Sequence, residues 1–186
     1  ALLGVVNGMT KEPIAEQEAK EAEEARQAAF PDATGFELVF DRDATDDAAN
    51  MAIVAEIPED YDIIQSVYTA LDADGNAIGI TAGVITKGYS SGLNLTVGIG
   101  AEDVIKGVIV GSNNETPGLG ANASKPEFQG QFTGKPYSQP LTVVKSAPTS
   151  DNEVQAITGA TITSRGVTNA VNTVIDYYTN VLGGAQ

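Results

Sequence analysis

One stretch gathers the residues best able to do chemistry: Thr158-Gly159-Ala160-Thr161-Ile162-Thr163-Ser164. It offers hydroxyls from Thr158, Thr161, Thr163 and Ser164, while Gly159 and Ala160 keep side-chain bulk low enough for a large group to approach the backbone. Downstream, apolar residues recur at Val167, Ala170, Val171, Val174, Ile175, Tyr178 and Leu182. Steps of three and four place them on one face of an amphipathic helix. Gly183-Gly184 then stops it with residues that accept left-handed dihedrals. Ser164, or Thr163 before it, suits the N-cap, where a hydroxyl accepts a hydrogen bond from a first-turn N–H. The hydroxyl-rich stretch therefore lies at or just before a helix N-terminus, where unpaired N–H groups and the dipole favour an anion. The same residues also suit a capped surface helix with a polar loop before it.

A second stretch, Asn113-Asn114-Glu115-Thr116-Pro117-Gly118-Leu119-Gly120, leaves the end of an expected strand as a loop. By residue type alone it is a turn. Taken in order, however, the two stretches resemble the FMN-binding domain family. Thr-Gly-Ala-Thr followed by Ile-Thr-Ser is similar to that family's flavin-attachment motif, and Glu-Thr-Pro-Gly-Leu-Gly resembles its second signature. Phe128, Gln131-Phe132 and Gly134-Lys135 resemble the connecting segment, and Lys87-Gly88-Tyr89 resembles a Gly-Tyr position. Gln155 stands where the family pattern usually has Asp. The resemblance covers roughly residues 66–182.

The resemblance implies an electron carrier with FMN joined through its phosphate to the hydroxyl of Thr161. Thr158, Gly159, Ala160, Thr163 and Ser164 would surround the phosphate. Glu115, Thr116 and Gly118 would form a loop at the edge of the isoalloxazine ring, and Leu119 or Tyr89 would face it. Lys125 and Lys135, among the few cations, are candidates to meet flavin or phosphate. It further implies a flavin transferase for maturation, partner redox and membrane subunits, and one N-terminal membrane helix with the domain on the extracytoplasmic side. Family members serve in Rnf complexes, which couple ferredoxin and NAD to ion movement, and in the sodium-translocating NADH:quinone reductase. Compact length and an acidic early segment favour the G-subunit position in Rnf over the C-subunit position in the quinone reductase. A stand-alone extracytoplasmic flavoprotein, or a binding module with a vestigial motif, is a further alternative.

The rest of the chain must position these residues. A length of 186 residues suits one domain with a real core. The net charge of -15, from 25 acidic and 10 basic residues, argues against nucleic acid and anionic headgroups as partners. Without His or Cys, Ser-His-Asp and Cys-His catalysis is excluded, and the usual zinc and cluster ligands are missing. No catalytic residue and no metal site is expected. No Gly-x-Gly-x-x-Gly opens a helix to hold a dinucleotide.

Residues 1–11 are expected to be the remnant of a membrane anchor, being apolar but short of the ~20 residues that span a bilayer. Residues 12–35 read as an acidic connecting helix with Pro13 at its first turn. Residues 36–186 would form the FMN-binding domain. Within it, strands are expected over 36–40, 66–71, 77–87, 93–100 and 105–110, with a turn at Asp72-Ala73-Asp74-Gly75-Asn76. The expected class is α+β: an antiparallel sheet of two strand–turn–strand units packed with helices, closed by the C-terminal helix after the attachment loop.

Overall fold

A computed structural model describes the backbone of residues 3–184 and the side chains of residues 16–184. Its centre is a five-stranded antiparallel sheet in the order of the chain: β1 (Gly35–Asp41), β2 (Ile64–Leu71), β3 (Ala77–Lys87), β4 (Ser91–Gly100) and β5 (Ile105–Val110). The two expected strand–turn–strand units are therefore one continuous meander, with β3 paired to β4 and β1 added at the edge. Local chemistry sets the turns. Between β2 and β3, the Asp72 carboxylate accepts from the N–H groups of Asp74 and Asn76, both at 2.9 Å, and Gly75 takes a φ of 81°.

Alternation along the strands divides the sheet into two faces. Leu93, Leu95, Val97 and Ile99 of β4 join Ile80, Ala82 and Val84 of β3 in the main core. Helix α4 (Thr161–Asn180) packs on this face through Val167, Ala170, Val171, Val174 and Tyr178, all buried. Each large apolar side chain taken from water contributes about 1.5–3 kcal/mol. Near its far end, the Tyr61 hydroxyl donates to Asp176 Oδ2 at 2.5 Å, which pushes the phenol up to about 12. The Tyr61 ring also meets Tyr177 edge-on at 5.2 Å. The helix stops at Gly183 and Gly184, both with positive φ, and the Gly184 N–H returns to the Tyr178 carbonyl.

The opposite face seats the end of α1 (Leu3–Ala29). Gly98 and Gly107 are paired across β4 and β5 and leave room for that end. A Cβ at Gly98 would stand 2.2 Å from the Ala29 carbonyl oxygen. Phe30, Ala33 and Ala70 form a small second core beside this seat. Lys106 bridges to Asp32 at 3.0 Å and ties the exit of α1 to β5. The anchor expected over residues 1–11 involves side chains outside those described; among the described residues no helix is long and apolar enough to cross a membrane.

Smaller elements complete the chain. Helix α2 (Ala48–Glu56) begins at an Asp47 cap that accepts from Ala49 and Asn50. After β5 come a 3-10 turn at Gly120–Ser124 and the short α3 (Pro126–Gln129). A two-stranded parallel ribbon, β6 (Thr142–Val144) with β7 (Glu153–Gln155), then leads into α4. No sequence pattern announced this ribbon, since three residues are too few to show a period.

Candidate functional site

Three segments meet at one end of the sheet: the tight β3–β4 turn at 88–90, the loop that follows β5, and the start of α4. Glycine brings them together. A Cβ at Gly166 of α4 would stand 2.4 Å from the Lys87 carbonyl oxygen, so the helix rests directly on the end of β3. Glu115, only 6% exposed, reaches between the segments. Its Oε1 accepts from the Ser90 N–H at 2.9 Å and its Oε2 from the Thr163 hydroxyl at 2.6 Å.

Helix α4 begins at Thr161, not at the Thr163 or Ser164 cap suggested by residue type. Ala160 occupies the cap position, and no side chain caps the helix. The Ser164 hydroxyl cannot serve as a cap because it is used inside the fold. It donates to the Ala160 carbonyl at 2.9 Å and accepts from the Ile157 N–H at 3.0 Å. Those bonds fix the 157–160 turn, where Gly159 takes a φ of 75°. Upstream, the Ala156 N–H donates to the Val144 carbonyl, so the β6–β7 ribbon aims the turn. The first-turn N–H groups of α4 lack intrahelical partners, as at any helix start, and among the described residues no side chain supplies one.

The three segments line a cleft of about 500 Å³, formed by Tyr89, Glu115, Thr116, Leu119, Gly120 and residues 159–163. That is the scale of a cofactor or small-ligand site. Its rim is unusually apolar for a surface: Tyr89 is 70% exposed, Ile162 58% and Leu119 44%. Thr161 lines the cleft at the head of the helix. Gly159, Ala160, Thr161, Thr163, Glu115, Thr116, Leu119 and Tyr89, all singled out by sequence, are thus gathered at one place.

Other expected residues lie elsewhere. Thr158 and Lys125 line an adjoining groove with Asn122, Phe128 and Ile157. Gly118 shapes the loop through a φ of 78° and does not line the cleft. Ser164 is buried behind the wall, where its hydroxyl is already occupied. Lys135 donates to the Asp151 carbonyl at 2.8 Å, and its own carbonyl accepts from Ile105 at the start of β5, the strand end remote from Glu115. Conversely, Ser90 and Gly166 help build the site without having been singled out, and Gly88, Gly120 and Ile162, quoted within the motifs but given no role of their own, help build it too. The motif run itself held a signal for Gly120, a second glycine two residues after Gly118. Among the described residues no cluster of three or more carboxylates could hold a metal ion.

Comparison with known proteins agrees with this geometry. The FMN-binding domain model matches residues 88–176, which contain all three segments of the cleft. The G subunit of the Na(+)-translocating ferredoxin:NAD(+) oxidoreductase complex of Acetobacterium woodii is 38% identical over 181 residues, covering 96% of this chain and 84% of that one. The G subunit of an ion-translocating oxidoreductase complex of Methanosarcina acetivorans is 30% identical over 178 residues, covering 95% and 85%. Among solved structures, NqrC of Shewanella oneidensis superposes with a TM-score of 0.63 over 89% of this chain and 94% of that one; at 21% identity the likeness is one of fold. The chain belongs to the FMN-binding domain family.

Proposed function

We propose that this chain is the FMN-carrying electron-transfer G subunit of an ion-translocating ferredoxin:NAD oxidoreductase (Rnf) complex, with the FMN phosphate esterified to the Thr161 hydroxyl. The observation that carries the reading is the position of Thr161. It is the first residue of a 20-residue helix, it lines the cleft, and no side chain among the described residues caps the helix start. An anionic phosphodiester there would take the free N–H groups and the positive end of the dipole. The residues present fit the rest of the group. Tyr89, Leu119 and Ile162 offer an apolar rim for a flat ring, and the Thr116 loop offers polar groups at its edge.

When bound, FMN supplies the redox chemistry. The chain holds the phosphate, orients the ring and leaves the mouth of the cleft open to a partner. It has no His or Cys and no dinucleotide loop, which favours a relay between partner subunits over turnover of its own substrate. Attachment would require a separate flavin transferase. We place the domain, residues 36–186, on the extracytoplasmic side of the membrane, with 12–35 as connector and 1–11 as the end of an anchor. The helix runs unbroken over Leu3–Ala29, so Pro13 lies within it and not at a first turn, and its end leads into the sheet. The quinone-reductase alternative rests on likeness of fold at 21% identity, whereas relatives matched along most of their length are G subunits.

Intact mass of natively produced protein tests the attachment. The expected increment is FMN less one water. Release of all flavin on acid precipitation would refute the covalent bond. A flavin band that NADH bleaches rapidly and saturably, without partner subunits, would replace the relay by a stand-alone reductase.

A further inference from the structure

Glu115 is built into the cleft wall more elaborately than a loop residue requires. A Cβ at Gly120 would stand 2.2 Å from its Oε2, and one at Gly88 would stand 2.5 Å from its Oε1. Two positions therefore lack side chains where this carboxyl group sits. Both oxygens accept hydrogen bonds, from Ser90 N–H and the Thr163 hydroxyl, which is the pattern of an ionised carboxylate. The 2.6 Å Thr163 bond has the length of a charge-assisted O–H···O contact. Among the described residues no Lys or Arg forms an ion pair with it. A charge buried on dipoles alone is costly, and a neutral Gln of the same size could tie the same three segments together. The clamp explains the side chain's reach but not its charge.

We propose that Glu115 is a positioning residue that also tunes the cofactor: it fixes turn, loop and helix, and sets an uncancelled negative charge in the cleft wall that makes the bound flavin harder to reduce. The inference rests on the reading that FMN attached to Thr161 occupies this cleft. Adding an electron adds negative charge to the ring, and a carboxylate in a partly desolvated wall opposes it. Glu115 thus acts through its field and through the wall it holds, each oxygen already accepting one hydrogen bond from within the protein.

The test compares natively flavinylated full-length protein with its Glu115→Gln variant by spectroelectrochemical reduction, after intact mass has been measured on both. Absence of flavin on wild-type Thr161 overturns both this inference and the function it rests on. With attachment established, Glu115→Gln should move the first one-electron equilibrium toward reduced flavin by about tenfold, equivalent to about 59 mV. A flavinylated variant whose equilibrium moves less than about twofold, or toward oxidised flavin, overturns the inference alone. Thr163→Val keeps size and β-branching but removes the donor that spreads the carboxylate's charge. It should shift the equilibrium the other way, toward oxidised flavin, and it decides the matter if Glu115→Gln does not fold. No shift, or a shift toward reduced flavin, overturns the proposal, since a merely structural defect would not give opposite signs in the two variants.

Discussion

Glycine does different work on the two sides of this molecule. Under α1, Gly98 and Gly107 remove side chains so that backbone can lie on backbone, and Phe30 closes the seat with no exposure at all. At the cleft, Gly88 and Gly120 remove side chains so that a carboxyl group can enter, and the apolar residues around it stay exposed. The first arrangement spends its close contacts on burial. The second leaves a lined space about 500 Å³ in volume with a polar wall, an apolar rim and an uncapped helix end. One region is packed for stability, while the other is shaped for a ligand.

The sharpest break between them is Thr161→Ala. Thr161 is half-buried at the helix start and its side chain makes no hydrogen bond among the described residues, so the apoprotein should keep its stability within about 0.5 kcal/mol. Attachment of flavin should be lost completely, as read by intact mass and by in-gel flavin fluorescence. Variant protein that still carries covalent flavin would move the acceptor to another hydroxyl.

Next in size is a paired substitution. Gly98→Ala drives a Cβ into the Ala29 carbonyl, a backbone atom that cannot swing aside, and should cost about 3 kcal/mol in urea unfolding. Flavin attachment should survive in whatever fraction remains folded. Gly120→Ala meets the end of the Glu115 side chain instead, which can move, so it should cost about 1–2 kcal/mol while lowering attachment sharply. Equal stability costs with equal attachment would erase the distinction between seat and cleft.

The sequence exposed these two regions unequally. The burial face of α4 was legible because Val167, Ala170, Val171, Val174 and Tyr178 repeat at helical spacing, β3 was legible as the strand returning from the turn at 72–76, and β5 from its β-branched run. The start of α4 was not. Thr163 and Ser164 have the residue types of caps, but tertiary bonds to Glu115 and to the 157–160 turn override that local preference. The position of Lys135 was hidden for a similar reason: its partner, the Asp151 carbonyl, is brought near by the ribbon of β6 and β7. Motif resemblance located the cleft, yet it could not reveal that both Glu115 oxygens would be occupied from within. The seat of α1 was silent in the sequence, because Gly98 and Gly107 acquire meaning only when strand register pairs them.

The far end of α4 belongs with the packed side, and pH can probe it separately. Tyr61 donates to Asp176, and that hydrogen bond leads the causes that raise its phenol from 10.0 to about 12. Because the folded value is raised, the contribution is full below the unfolded value, near pH 10, and is lost as pH climbs through about 12. Tyr61→Phe should therefore be about 1–2 kcal/mol less stable at neutral pH, with the difference fading across that alkaline window. Flavin attachment should be unaffected. A constant difference through the window would show that ring packing, not the Asp176 bond, holds this corner.

The smallest effect is the most discriminating, because it depends on which state is measured. Tyr89 is 70% exposed and belongs to neither hydrophobic core, so Tyr89→Ala should leave the apoprotein's unfolding free energy unchanged within about 0.5 kcal/mol. Its side chain nevertheless lines the cleft. If the rim faces a flat ring, the flavinylated protein gains an aromatic contact that the apoprotein lacks, and such contacts contribute about 0.5–1.5 kcal/mol beyond area burial. The variant should therefore lose about 1 kcal/mol in the flavinylated form alone. The measurement is a double difference: wild type and Tyr89→Ala, each with and without attached flavin, unfolded in urea under one set of conditions. Subtracting the apo difference from the holo difference removes every effect of the substitution on the bare fold. A residual near zero would take Tyr89 out of the cofactor site and leave Leu119 and Ile162 as the apolar face. A loss of equal size in both forms would place Tyr89 with the packed side of the molecule, against its exposure.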